Sequence, residues 1–231
     1  MTLQEAITVR HSVRAYKHQP LAEDVVKALS SKIEEQNKLG RLHVQLVMNE
    51  PRAFSEGKAK YGRFRNVENY IVMAGAKADD LEERIGYHGE QIVLYAQTLG
   101  LNTCWVGLTY SKVAGTYVLD DGEVIKAYIA IGYGETGGTA HKVKRVEQVS
   151  NADAGSPEWF RRGVEAALLA PTAINQQKFY LEYKPVEEGR KARVVARRQF
   201  SLAGYTHIDI GIVRCHFEIA AGGEDYMWEE V

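Results

Sequence analysis

Arg10-His11-Ser12-Val13-Arg14-Ala15-Tyr16 lies between a short N-terminal apolar stretch and a helix led by Pro20. In extended backbone, side chains two residues apart project on one side, so Arg10, Ser12 and Arg14 can address one ligand. Two guanidinium forks around a hydroxyl suit a phosphate, because each fork donates two parallel, charge-assisted hydrogen bonds. Taken alone, the same residues also describe a solvated basic turn. The rest of the chain decides whether the cluster has partners.

Its composition narrows the classes. With 231 residues the chain suits one large domain or two small ones. Hydrophobic residues make up 45% and charged residues 26%, as in ordinary soluble proteins. A formal net charge of −1 argues against a nucleic-acid partner and requires any anion site to be a local cluster. No run of about 18 apolar residues is present, so no membrane span is expected. The N-terminus also lacks the pattern of a secretory signal. Only Cys104 and Cys215 occur, without metal-like spacing, and buried thiols in a reducing cytoplasm are the expectation.

Working outward, periodicity predicts helices over Glu5–Val9 and Ala22–Asn37, the second closed by Leu39-Gly40. Leu42–Met48, Asn69–Ala74 and Val124–Gly132 read as strands, and Ile85–Leu99 as a helix ending at Gly100. Residues 133–157 are rich in glycine and charge and read as a surface connection. The order then starts again, with a helix over Pro157–Leu169, a strand over Lys178–Tyr183 and a helix over Asp209–Ala221. Residues 88–100 lie over 208–220 at an offset of 120, sharing Ile92/Ile212 and Val93/Val213. Arg41–Pro51 likewise resembles Gln177–Pro185, each closing on a proline. An internal duplication is expected, resting on element order more than on identities.

Three further stretches concentrate chemistry. Ala170-Pro171-Thr172-Ala173-Ile174-Asn175-Gln176-Gln177 follows a helix with hydroxyl and amide groups that donate and accept, although threonine and asparagine also simply favour turns. Gly100-Leu101-Asn102-Thr103-Cys104-Trp105-Val106-Gly107 lets backbone approach a planar ligand, with Trp105 as a broad apolar surface. Cys104 has no helpfully spaced histidine and reads as a small buried thiol. His141-Lys142-Val143-Lys144-Arg145 forms a second positive patch. Gly132-Tyr133-Gly134 leads to no helix, no P-loop occurs, and the histidines show no ligand spacing, so neither a dinucleotide fingerprint nor a metal is expected.

RHSVRAY, GLNTCWVG, APTAINQQ and HKVKR together resemble the FMN-dependent nitroreductase superfamily. The resemblance implies an α+β fold, a three-layer α/β/α arrangement with a mostly antiparallel sheet. It implies that Arg10, His11, Ser12 and Arg14 hold the flavin phosphate and ribityl chain. Lys142 and Lys144 would complete that site, with Arg145 less secure. Cys104, Val106 and Gly107 would contribute backbone along the flavin ring, and Pro171, Thr172 and Asn175 would cover its other side. Asn102 stands where the family usually has glycine. The lysine that some members place against the pyrimidine has only Lys60, Arg63 and Arg65 as candidates.

The implied reaction is ping-pong hydride transfer through flavin N5, from NADH or NADPH to a small-molecule acceptor such as a nitroaromatic or quinone. It requires no acid or base from the protein. A flavin-binding or sensing protein without efficient turnover is the alternative. The family's Ala-Pro-Ser loop normally follows the first cluster closely and reaches a flavin across a dimer interface. Here it comes some 160 residues later. The chain therefore resembles a fused pseudo-dimer. Residues 1–150 would keep the phosphate cluster, and residues 151–231 would supply the loop a partner normally brings. A monomer with one intrachain site is expected, with a homodimer left open.

Overall fold

The protein is described here by a computed structural model covering residues 1–185, 191–223 and 226–229. Residues 186–190, 224–225 and 230–231 of the expected second half lie outside the described residues.

Two near-continuous apolar runs build the first sheet, because strands buried on both faces have no polar alternation to show. Strands β2 (Asn69–Ala76) and β4 (Glu123–Gly132) pair antiparallel, with Ile71 opposite Ile129 and Val72 opposite Tyr128. Strand β1 (Gln45–Val47) joins the outer side of β2, and β3 (Asn102–Val106) the outer side of β4, giving the order β1-β2-β4-β3 with every pair antiparallel. Ile71, Met73, Ile129 and Ile131 face the main core. Tyr70, Val72, Tyr128 and Ala130 face a second cluster with Val13, Tyr16, Phe54 and Val106.

That second face is closed without a helical layer. A four-residue helix α3 (Arg52–Ser55), a 3₁₀ turn (Gly57–Gly62) and an aromatic stack cover it, with Tyr110 4.0 Å and Tyr70 5.0 Å from the Tyr128 ring. The expected α/β/α layering therefore has long helices on one side of this sheet only.

Helix α4 (Leu81–Thr98) packs on the main face of the sheet and against α7 (Thr206–Ala221). Helix α7 is apolar nearly all round, the mark of an interior helix. Helices α1 (Leu3–Val9) and α2 (Glu23–Gly40) pack on α4, and α6 (Glu158–Leu168) packs on α7. A short α5 (Val146–Val149) precedes α6. The second sheet is β5-β6-β7, with β5 (Phe179–Lys184) antiparallel to β6 (Ala192–Arg198) and β6 parallel to β7 (Tyr226–Glu229).

Two local readings change. Helix α2 runs through Gly40, and Arg41 takes the left-handed turn at φ 49°. Gly40 is needed for space instead, since a Cβ there would lie 2.5 Å from the His88 ring. The strand expected over Leu42–Met48 shortens to Gln45–Val47 because the Asn37 amide takes both backbone groups of Val44, at 2.7 and 2.9 Å.

Candidate active site

The Arg10–Tyr16 segment is extended, as its alternation requires. Val13 N donates to Thr103 O at 3.0 Å, and isolated bridges join Ser12 to Thr103, Ala15 to Arg65 and Tyr16 to Gly134. The segment thus lies along the free edge of β3. Ser12 and Arg14 line a cavity of about 970 Å³, within the size range of small-molecule sites. The wall continues through Tyr61–Phe64, Trp105–Thr109, Thr136–His141, Pro171–Asn175 and the first turns of α7.

Arg10 goes elsewhere. It is 2% exposed, and its Nε lies 3.7 Å from Glu90 Oε1 without a hydrogen-bond partner. Glu90, fully buried on α4, explains the detour. Its carboxylate accepts the Trp105 indole N–H at 2.8 Å and sits 2.9 Å from His216 Nε2, whose Nδ1 is 3.0 Å from Ala166 O. An interior carboxylate needs opposite charge nearby, and Arg10 supplies it. Burial lowers the Arg10 pKa, with Glu90 opposing that fall.

His11 is half-buried, its pKa pulled down by burial and then by Arg10. Its Cβ stands 2.7 Å from where a Cβ on Gly138 would fall, and Gly138 has φ 82°. Only glycine lets the 136–139 turn close on the basic segment there. His141 also lines the cavity, whereas Lys142 and Lys144 do not. The Lys142 carbonyl accepts from Asn175 Nδ2 and Gln177 Nε2, each at 2.8 Å. Lys144 Nζ donates to Gln177 O at 2.6 Å, and burial, then Lys178, lowers its pKa. Arg145 pairs with Glu147 at 2.7 Å and Arg65 with Glu135 at 2.6 Å. Lys60 and Arg63 flank the lining residues Tyr61 and Gly62.

Val106 and Gly107 line the cavity; a Cβ on Gly107 would lie 2.5 Å from the Tyr205 ring. Cys104 is buried beside the wall, and burial pushes its thiol upward. Pro171, Thr172 and Asn175 also line the cavity. Ile174, Asn175 and Gln177 all have left-handed backbone, at φ 47°, 56° and 46°. Asparagine takes this conformation readily, but a β-branched residue such as Ile174 holds it only where its surroundings enforce it.

The cavity also holds residues that motif reading missed, notably Tyr205 and Asp209. Asp209 is 4% exposed, and burial raises its carboxyl to about 6. The available signal was its place among the isoleucines of α7. An acid on an apolar helix face must be bonded, and Glu90 carries the same signal on α4. Away from the cavity, His43, Asp120 and Glu123 bring ligand-type atoms within 4.8 Å of one another. Glu123 Oε2 already meets His43 Nδ1 at 2.6 Å and Asp120 N at 2.8 Å. Among the described residues, no helix is long and apolar enough to cross a membrane.

A Thermotoga maritima structure described as a putative nitroreductase superposes with TM-score 0.64 at 22% identity, covering 95% of this chain and 83% of that one. A Desulfovibrio desulfuricans structure, described as a putative nitroreductase in complex with FMN, gives 0.51 at 14% identity over 68% of this chain and 99% of its own. B. megaterium NfrA2 gives 0.53 at 10% identity over 71% and 78%. These likenesses show a mixed helix and sheet fold of nitroreductase type, with its antiparallel sheet. No curated protein sequence matches the chain. A profile of the family described as "Putative TM nitroreductase" matches residues 2–221, so the chain belongs to that family.

Proposed function

We propose that the cavity binds FMN and that the chain passes electrons from NADH or NADPH to a small-molecule acceptor. One observation carries this reading: Ser12, Arg14 and Gly107 from the first half meet Pro171, Thr172 and Asn175 from the second around a single space. The residues present fit the cofactor. Arg14, Ser12 and His141 line the cavity with groups that would hold a phosphate, and the turn at Gly138 closes on His11 and Ser12. Ile208 and Ile212 add apolar surface to the lining.

When bound, FMN supplies two-electron chemistry, accepting a hydride from a nicotinamide and delivering electrons to the acceptor. The chain's residues position and shield. Glu90 fixes the Trp105 indole in the wall, and the Pro171–Asn175 segment lines the same cavity. Arg10 acts from below, neutralising Glu90, and its contribution to FMN retention is indirect. Tyr205, packed against Gly107 inside the cavity, favours the second reading, a flavin protein with restricted turnover.

The halves are read as degenerate repeats, 1–150 and 151–231, forming a pseudo-dimer within one chain. Three relationships support this. β1/β2 and β5/β6 are both antiparallel pairs. β2 and β3 run the same way on either side of β4 and are linked through α4, while β6 and β7 are linked through α7 and pair parallel directly. The second sheet is the first without its inserted strand. Contacts between α4 and α7 are also reciprocal at a spacing of 125: Gly86 meets Gly211, Glu90 meets His216 and Gln91 meets Cys215. The alignment offset of 120 therefore reflects two amphipathic helices more than equivalent positions.

Anaerobic titration of FMN-loaded protein with NADH and NADPH tests the function. Bleaching of the flavin, and recovery on adding a quinone, is the expected result. Stable yellow protein that neither nucleotide reduces selects the second reading, and failure to retain FMN overturns both.

A further inference from the structure

The strained segment over the cavity converges on one carboxylate. Asp209 Oδ1 accepts the Ala173 N–H at 2.9 Å, and Oδ2 accepts Gln176 Nε2 at 2.6 Å. The same Gln176 amide donates to Gly204 O at 3.0 Å, and its oxygen accepts the Ser201 hydroxyl. Asp209 therefore ties the 173–176 turn and, through Gln176, the 201–204 turn to the start of α7. No cation pairs with it among the described residues. An interior carboxylate held by two neutral donors is costly to keep charged, yet both donors are aimed at it. Without them, Ile174, 84% exposed at the tip of the turn, and its left-handed neighbours have little on this side to enforce their backbone.

We propose that Asp209 is a positioning residue that latches the Pro171–Gln177 segment closed over the cavity, and so governs how long a bound flavin stays. The latch concerns the segment's geometry, while its effect on flavin rests on the FMN reading. Asp209 itself lines the cavity, so direct contact with the cofactor has to be separated from action through the turn. Gln176 provides the separation, since it binds Asp209 without lining the cavity.

The experiment compares the full chain with Asp209→Ala, Asp209→Asn and Gln176→Ala. It measures hydrogen exchange of peptides covering 170–178 without FMN, and FMN release by the rise of flavin fluorescence on dilution. Losing hydrogen bonds to a charged acceptor predicts about tenfold faster exchange and release in Asp209→Ala. Asp209→Asn, which can still accept the Ala173 N–H, should restore part of the protection, and Gln176→Ala should speed release by several-fold. Unchanged exchange at 170–178 in Asp209→Ala overturns the latch. Unchanged release in Gln176→Ala, with release accelerated only at position 209, overturns action through the turn. If Asp209→Ala does not fold, Asp209→Asn and Gln176→Ala decide alone. Absence of FMN binding by the unaltered chain overturns the flavin reading, while the exchange data still decide the latch.

Discussion

Gly86 and Gly211 face each other where α4 crosses α7, so closely that a Cβ on either would overlap backbone of the other helix. On Gly86 it would strike the Ile208 carbonyl; on Gly211 it would strike the Glu83 carbonyl. The obstacles are backbone atoms, which cannot swing aside as a side-chain tip can. Gly86→Ala and Gly211→Ala should each push the helices apart. Overpacking of this kind costs about 1–3 kcal/mol and sometimes more. Urea unfolding should show both losses, although alanine is the better helix former. An unchanged midpoint in either variant would contradict the close crossing.

Arg10 and Arg14, equivalent in sequence pattern, should separate in behaviour. Arg14 is exposed at the cavity, its guanidinium 6.0 Å from the Phe64 ring, so on the FMN reading its removal should cost cofactor contact with little folding consequence. Arg14→Ala should weaken FMN binding about tenfold or more, as for a charged hydrogen bond, with the melting temperature nearly unchanged. Arg10→Ala strands the Glu90 carboxylate in the interior, and breaking a buried pair from one side costs about 3–5 kcal/mol. That variant should melt well below the unaltered protein and change Trp105 fluorescence. Equal effects of the two substitutions on FMN affinity, with equal stability, would refute the assignment.

Asp209 gives a stability signature in pH. Its folded-state carboxyl titrates near 6 against an ordinary 3.8. Between those values the folded state holds more protons than the unfolded state, so stability falls as pH rises through this window. At full effect the displacement corresponds to roughly 3 kcal/mol. Asp209→Asn removes the titration, so the difference between the two stability curves should change from pH 4 to pH 6 and stay flat above about 7. A difference curve without that step excludes the raised carboxyl. The charged form thus weakens the fold while holding the turn, the exchange of stability for site geometry expected near binding sites.

The long helices, strands β2, β4 and β5 and four stretches of the cavity wall are legible in the sequence because each rests on a local rule. Continuous apolar runs give β2 and β4, and alternation gives the extended Arg10–Tyr16 segment. Pro171 marks the end of α6. What escapes depends on contacts distant in sequence. Arg10 looks like Arg14 until Glu90, 80 residues on, claims it. Strand β3 hides inside a glycine-bounded stretch because its pairing with β4 defines it. The Leu42–Met48 pattern is overruled by one asparagine side chain. Tyr205 and Asp209 belong to no motif; they matter because α7 packs its first turns against the cavity from the far half of the chain.

On the FMN reading, the crossing at Gly86 and Gly211 also bears on how many flavins one chain should carry. The spacing of 125 maps Tyr205, Ile208, Asp209 and Ile212, which line the large cavity, onto Asp80, Glu83, Arg84 and Tyr87. All four of these line a second cleft of about 320 Å³. There, Arg84 Nε lies 3.0 Å from Asp80 along α4, while Arg214 pairs with Glu83 and Tyr87 donates to Glu218, two contacts that join α4 to α7 at the cleft. At the lower end of ligand-site volumes, and without an extended Arg-x-Ser-x-Arg segment beside it, this cleft should not admit FMN. Saturated protein should therefore contain one FMN per 25.9 kDa chain, whether light scattering finds monomers or dimers. Flavin absorbance against quantitative amino-acid analysis measures the ratio. Two flavins per chain would mean the second cleft opens, and a ratio well below one at saturation would mean the large cavity does not hold the cofactor.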